Sequence, residues 1–237
     1  MRLSEMFYKL LENGEFLRGI WETVYMTLIS TAFAYLLGLP LGIIIAVTDK
    51  DGCRPLPWLN RLLSFIVNIF RSIPFIILMV AMLPLAKVIV GTSLGNPAMI
   101  VTLIIAAAPY VARMVESSIK EVNSGVIEAA EAMGSSTARL IFKVLLPEAR
   151  PSLIIGMVIS MVTILGYSAM AGVIGGGGLG KIALTYGYQK YNDDIVWICV
   201  ILTIIIVQLI QEAGMYIAHR TDKRIRRKAG HRHDKLL

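Results

Sequence analysis

Between Thr23 and Thr48 the chain carries no charged residue. About 20 mostly apolar residues suffice to cross a bilayer core as a helix, and in lipid every backbone amide must be satisfied within its own segment. No other stretch constrains the fold as strongly, because a membrane-crossing helix is the one structure it serves well. Similar segments come after it. Spans are expected over about 20–48, 60–86, 97–118, 151–173 and 194–218, the third opening on Asn96-Pro97 with proline in the first helical turn. Composition agrees: 56% of the residues are hydrophobic and 16% charged, against roughly 25% charged in a soluble domain. The mean hydropathy is +0.70. Disordered, collagen-like and disulfide-scaffold classes are excluded. The expected fold class is an all-α polytopic membrane protein with five transmembrane helices.

Five spans put the two termini on opposite sides. Eight of the 23 basic residues follow Ala218: Arg220, Lys223, Arg224, Arg226, Arg227, Lys228, Arg232 and Lys235. A basic run beside an apolar segment marks a cytoplasmic flank. With the tail inside, seven loop residues and these eight give 15 basic residues inside against 6 outside, and 7 against 6 without the tail. The N-terminus is therefore expected outside, the tail 219–237 in the cytoplasm. The net charge of +7 then reads as topology and not as a nucleic-acid partner, since no stacking aromatics interleave the charges. The segment 1–18 has no small-residue cleavage site and is not read as a signal peptide. Cys53 and Cys199 make neither a disulfide framework nor a metal site.

The connection between the third and fourth spans, residues 120–150, is unusual. Val126 to Met133 is a strong helix former, Gly134 can close it in the left-handed conformation, and Ser135 or Ser136 can cap a second helix. Leu140, Ile141, Val144 and Leu145 give that helix an apolar side. Pro147 is expected to stop it, with Pro151 in the first turn of the next span. The insert reads as a helix-turn-helix lying at the membrane surface.

Catalytic sets are absent from the pattern. The run Gly175 to Lys181 has the G-x-x-x-x-G-K spacing of a phosphate loop, but Ile182 stands where a metal-binding hydroxyl is needed and no strand precedes it. A flexible external turn is the better reading. His219, His231 and His233 all sit in the tail. Arg71, followed by Ser72 and Pro74, is taken as the one clear intramembrane charge. Such a charge either lines a pathway or anchors structure, here through carbonyls freed by Pro74. In the fourth span Thr163, Gly166, Tyr167, Ser168 and Met170 read first as a packing surface. Tyr167 and Met170 share a face that could line a pore.

Glu128-Ala129-Ala130, Gly134 and Val144-Leu145-Leu146-Pro147, at their spacing, resemble the EAA loop of ABC-importer permeases, Val144 standing where that family has Ile. Asn68 to Phe75, Ala107 to Glu116 and Gly166 to Met170 resemble the methionine-importer permeases in particular, as do Gly178-Leu179-Gly180 and Tyr186-Gly187-Tyr188. The basic tail beyond Arg220 is longer than that family's pattern. The resemblance implies a type I importer fold with the transmembrane domain over 19–213 and a coupling loop over 124–147. It implies a homodimer enclosing one pathway, two copies of a separate ATPase docked on Glu128, Ala129, Ala130, Gly134, Leu146 and Pro147, and an extracytoplasmic methionine-binding protein. Arg71, Ser72, Pro74, Tyr167, Ser168 and Met170 become the pathway or gate candidates. No cofactor and no catalysis by this chain are expected, and the location is a bacterial cytoplasmic (inner) membrane. A permease for another amino acid or a small peptide is the near alternative. An ion-coupled secondary transporter, which usually shows repeated halves, is a distant one, and a non-transporting scaffold would not need the coupling loop's spacing.

Overall fold

The computed structural model describes residue 10 and residues 12–221. Most of the basic tail, including His231 and His233, lies outside them. Among the described residues the secondary structure is helical throughout. Helix α1 spans Glu15–Thr48, α2 Pro57–Ser72, α3 Phe75–Val90, α4 Asn96–Lys120, α5 Ser124–Ala132, α6 Thr137–Leu140, α7 Leu146–Ala171, α8 Leu179–Ile182 and α9 Asp193–Thr221. Four runs are long and apolar enough to cross a membrane: α1, α4, Thr137–Ile174 and α9.

The fifth is different. One helix over 60–86 is expected, but α2 and α3 meet at a 108° bend. Pro74 supplies no N–H and disfavours helical backbone in the residue before it, and Ile73 is accordingly extended at φ −82°, ψ 128°. Helix α2 is also two-faced. Asn60, Arg61, Ser64, Asn68 and Arg71 recur at helical spacing on one side, and Trp58, Leu62, Phe65 and Ile69 are exposed. Arg71 thus lies at the end of an amphipathic helix rather than midway along a straight span.

The tightest pairing is α1 on α4. Gly38 and Gly42, four residues apart, bring the backbones so close that a Cβ at Gly38 would lie 2.8 Å from the Ala108 carbonyl oxygen, and one at Gly42 would meet that of Ala112. Small residues at this spacing permit close approach where burial of apolar surface provides no driving force, as in lipid. The largest apolar cluster runs from Ala34, Leu103 and Ile164 through Val111 and Val115 to Ala130, Leu140 and Leu145. The α5–α6 insert is therefore built onto the bundle core and does not hang from it.

Helix α9 presents Trp197, Ile201, Ile204, Ile205 and Leu209 outward. Trp21, Trp58 and Trp197 are all exposed near helix ends, where amphipathic rings suit the two membrane interfaces. One end of the bundle holds the glycine run and the starts of α1, α4 and α9. The opposite end holds the α5–α6 loop and the last turn of α9.

Candidate functional site: a docking loop and a broken helix

Asn123 caps α5, its side chain accepting from Gly125 N–H at 2.8 Å. Gly134 ends it at φ +74°. The Gly134 N–H donates to Glu131 O at 2.8 Å and the Ser135 N–H to Ala130 O at 3.1 Å, the two bonds of a Schellman ending. Of the two serines, Ser136 caps α6, accepting from Arg139 N–H at 3.4 Å. Pro147 does not end the second helix of the insert. A π-turn over Ile141–Leu145 joins α6 to α7, so helix runs on through both prolines. Leu146 N–H bonds back five residues to Ile141 O, and this widened turn admits a residue with no N–H of its own.

The coupling candidates divide by environment. Glu128 and Ala129 are exposed, as are Gly134 and Pro147, while Leu146 is half-buried. Ala130 is only 4% exposed. It packs into the chain's own core with Leu140 and Leu145. Sequence reasoning missed the neighbours that do face out. Val126 and Met133 flank Ala129 at helical spacing, Met133 being 79% exposed, and with Gly125 and Val144 they line a shallow groove. The signal was the i, i+3, i+7 stripe itself. On the other side of α5, Ser124, Ile127, Glu128 and Glu131 face Asp49, Cys53 and Lys120 across a cavity of about 500 Å³. The α1–α2 connection is tied to this loop, Arg54 Nε donating to Thr137 Oγ1 at 3.0 Å.

The pathway candidates cluster around the α2–α3 break and α7. Arg71 is exposed and makes no hydrogen bond or ion pair with any described residue, so the expected anchoring to freed carbonyls is not formed. Ser72 donates its hydroxyl to Asn68 O at 2.7 Å. Pro74 sits at the break beside Phe75, whose ring stacks on Tyr167. Met170 is 46% exposed. Ser168 is buried and donates to Leu165 O at 2.7 Å.

Arg71 is also not the one intramembrane charge. Helix α4 carries Arg113 and Glu116, which pair with each other. Arg113 Nη2 donates to Asn68 Oδ1 at 2.9 Å. Lys120 Nζ reaches Glu116 Oε1 at 2.8 Å and Asp49 Oδ2 at 2.5 Å. Lys120, the chief partner, holds the Asp49 carboxyl below its ordinary value of 3.8.

At the opposite end the glycine run is pinned and not a flexible turn. Gly177 N–H donates to Asn96 Oδ1 at 2.6 Å, Gly178 N–H to Glu22 Oε2 at 2.8 Å and Leu179 N–H to Thr23 Oγ1 at 2.9 Å. The amides that a phosphate loop would aim at an anion are thus occupied by side chains of α1 and α4. No group of three or more metal-ligating side chains occurs among the described residues.

A family model for the inner membrane component of binding-protein-dependent transport systems matches residues 38–227. A probable D-methionine transport system permease, MetI of Vibrio cholerae, is 46% identical over 90% of this chain and 95% of its own length. The methionine import system permease MetP of Bacillus subtilis is 42% identical over 94% of this chain and all of its own length. Among solved structures, a chain of the MetNI methionine ABC transporter in an inward-facing conformation is similar with a TM-score of 0.87 and 45% identity, covering 94% of this chain and 100% of that one. An amino acid ABC transporter solved with histidines shares the fold at a TM-score of 0.72 and 18% identity, covering 90% of this chain and 97% of that one. A match over most of the sequence, together with the order of its helices, leads to one assignment: this chain belongs to the binding-protein-dependent transport system inner membrane components.

Proposed function

We propose that the chain is the membrane-spanning permease subunit of an ATP-driven methionine importer, paired with a second copy of itself around one pathway. Two copies of a separate ATPase dock at the α5–α6 end and hydrolyse ATP, and an extracytoplasmic binding protein delivers methionine to the glycine-run end. The observation that carries this reading is the exposed stripe Val126, Ala129 and Met133, with Glu128 exposed on the adjoining cavity side, on a helix that is capped at both ends and built into the bundle core. A rigid apolar face of this kind suits a permanent protein partner. Force applied to it passes directly to α4 and α7, since Ala130 and Leu145 share one cluster with Val115 and Ile164.

In this reading the two docking loops approach one another as the ATPase pair closes, and the helices rock between inward-open and outward-open states. Arg71, Ser72 and the Pro74 break, with the Tyr167–Met170 face of α7, line the pathway, while Ser168 packs behind it. The N-terminus lies outside and the tail in the cytoplasm. The basic tail and the docking loop then share one side, because α9 ends at the same end of the bundle as α5. The transmembrane domain extends over about 19–213, with 1–18 and 219–237 as flanking segments.

Uptake of labelled methionine by cells that express the full complex tests the reading. ATP depletion with the ion gradients intact is expected to abolish uptake. Uptake that persists until the ion gradient is collapsed would point to a gradient-driven carrier and contradict the proposal.

A further inference from the structure

Three charges on α4 and two residues from its neighbours form a continuous polar chain through the half of the bundle nearest the docking loop. Arg113, Glu116 and Lys120 recur at intervals of three and four residues, so they share one helix face. The Glu116 side chain is 8% exposed and both of its oxygens are held, Oε2 by Arg113 Nη1 and Oε1 by Lys120 Nζ. Lys120 continues to Asp49, just past the end of α1, and Arg113 to Asn68 on α2. Two cations and two anions cancel, which allows a carboxylate to stay ionised between packed helices.

The ends of this chain lie in different places. Asp49 and Lys120 line the cavity whose other wall is Ser124, Ile127 and Glu128 of α5. Asn68 stands one turn before the α2–α3 break, and its backbone carbonyl accepts the Ser72 hydroxyl. The polar chain therefore spans from the cavity wall that faces the docking loop, at the end of α4 that leads into α5, to the segment that carries Arg71, Ser72 and Pro74. Apolar contacts along the same route can slide with little directional penalty. Charge-assisted bonds hold a geometry and move as a unit.

We propose that Asp49, Lys120, Glu116, Arg113 and Asn68 form a positioning network that carries displacement of the docking loop to the α2–α3 break. Lys120, Glu116 and Arg113 act on transport through α2, without touching substrate. The inference rests on the importer reading.

The test is the ratio of ATP hydrolysed to methionine transported, in proteoliposomes holding the full chain with its ATPase and binding protein. Lys120→Ala removes the branch between Asp49 and Glu116. The network predicts retained hydrolysis and a ratio about tenfold higher. Lys120→Arg recovers most of the coupling, because a guanidinium can bridge both carboxylates. Asn68→Ala cuts the far end at an exposed site and leaves Glu116 paired, so it stays informative if Lys120→Ala does not assemble; its ratio is expected to rise about threefold. A wild-type ratio in Asn68→Ala, or in assembled Lys120→Ala, overturns the network. Uptake by the unaltered complex that ignores ATP overturns the importer reading instead, so the two failures are distinguishable.

Discussion

The rings of Phe75 and Tyr167 lie face to face, 4.0 Å between centroids and 6° between planes. Phe75 is the first residue of α3 after the proline break, and Tyr167 belongs to the C-terminal half of α7. The stack therefore pins the most irregular point of the bundle to one of its long helices. An aromatic pair contributes about 0.5–1.5 kcal/mol beyond its buried area. Phe75→Leu keeps much of the apolar volume and removes the stack. Its thermal midpoint is expected to fall by about 2–4 °C in the purified protein, whereas Tyr167→Phe leaves it unchanged. Equal losses in the two variants would show that the stack is not the stabilising element.

Met133 and Ala129 test the docking face without disturbing the core. Met133 is almost fully exposed in the single chain, so Met133→Lys should change the chain's own stability by less than about 0.5 kcal/mol. Retention of the ATPase during affinity purification is expected to fall about tenfold, as for a residue near the centre of an interface. Ala129→Lys should behave alike. Ala130→Asp should act differently, because it buries a carboxylate without a partner and costs a few kcal/mol of the permease's own stability. Undiminished ATPase retention in Met133→Lys would remove the stripe from the interface.

Asp49 gives a pH signature. Lys120 depresses the Asp49 carboxyl below its ordinary value of 3.8, so the ion pair favours the folded state above that value. The stabilisation is lost as pH falls through the depressed value, where the carboxyl takes up a proton. Asp49→Asn is therefore expected to unfold at a lower temperature than the unaltered chain at neutral pH. The gap should close in acid below the ordinary carboxylate range. A gap that stays constant on acidification would place the effect outside this pair.

The glycine run depends on Glu22. Its carboxylate accepts both the Gly178 N–H and, through the other oxygen, the Arg18 guanidinium at 3.0 Å. Glu22→Ala strands a partly buried amide, at a cost of about 1–3 kcal/mol, and should raise hydrogen exchange across residues 175–180. Glu22→Gln keeps an acceptor and should retain most of the protection. Gly177→Ala is expected to raise exchange much as Glu22→Ala does, because the added Cβ would push the Glu22 carboxylate away. Unchanged exchange in Glu22→Ala would mean that the turn is held by other contacts.

The sequence made the long helices legible because unbroken apolar runs leave few alternatives in lipid, and it made the α5 turn legible because Gly134 marks a backbone position that other residues strain to adopt. It concealed the bend at Ile73, since the mean hydropathy of 60–86 hides a polar stripe at 60, 61, 64, 68 and 71. The stop expected at Pro147 failed because a π-turn makes room for the ring, and no sequence pattern announces such a turn. Arg113 and Glu116 lie in a stretch that resembles a family motif, and the resemblance does not mark them as a charge pair within a span. Their spacing of three residues was the available signal. Their links to Asn68 and Asp49 depend on which helices pack together, which one chain's periodicity does not encode.

ATP-driven methionine import is decided by uptake of labelled L-methionine into proteoliposomes holding this chain, its ATPase and its binding protein, with and without internal ATP. Uptake is expected to require ATP hydrolysis, and to be competed by excess methionine but not by histidine or glutamine. Equal uptake with and without ATP would contradict the importer reading and, with it, the role of the docking loop.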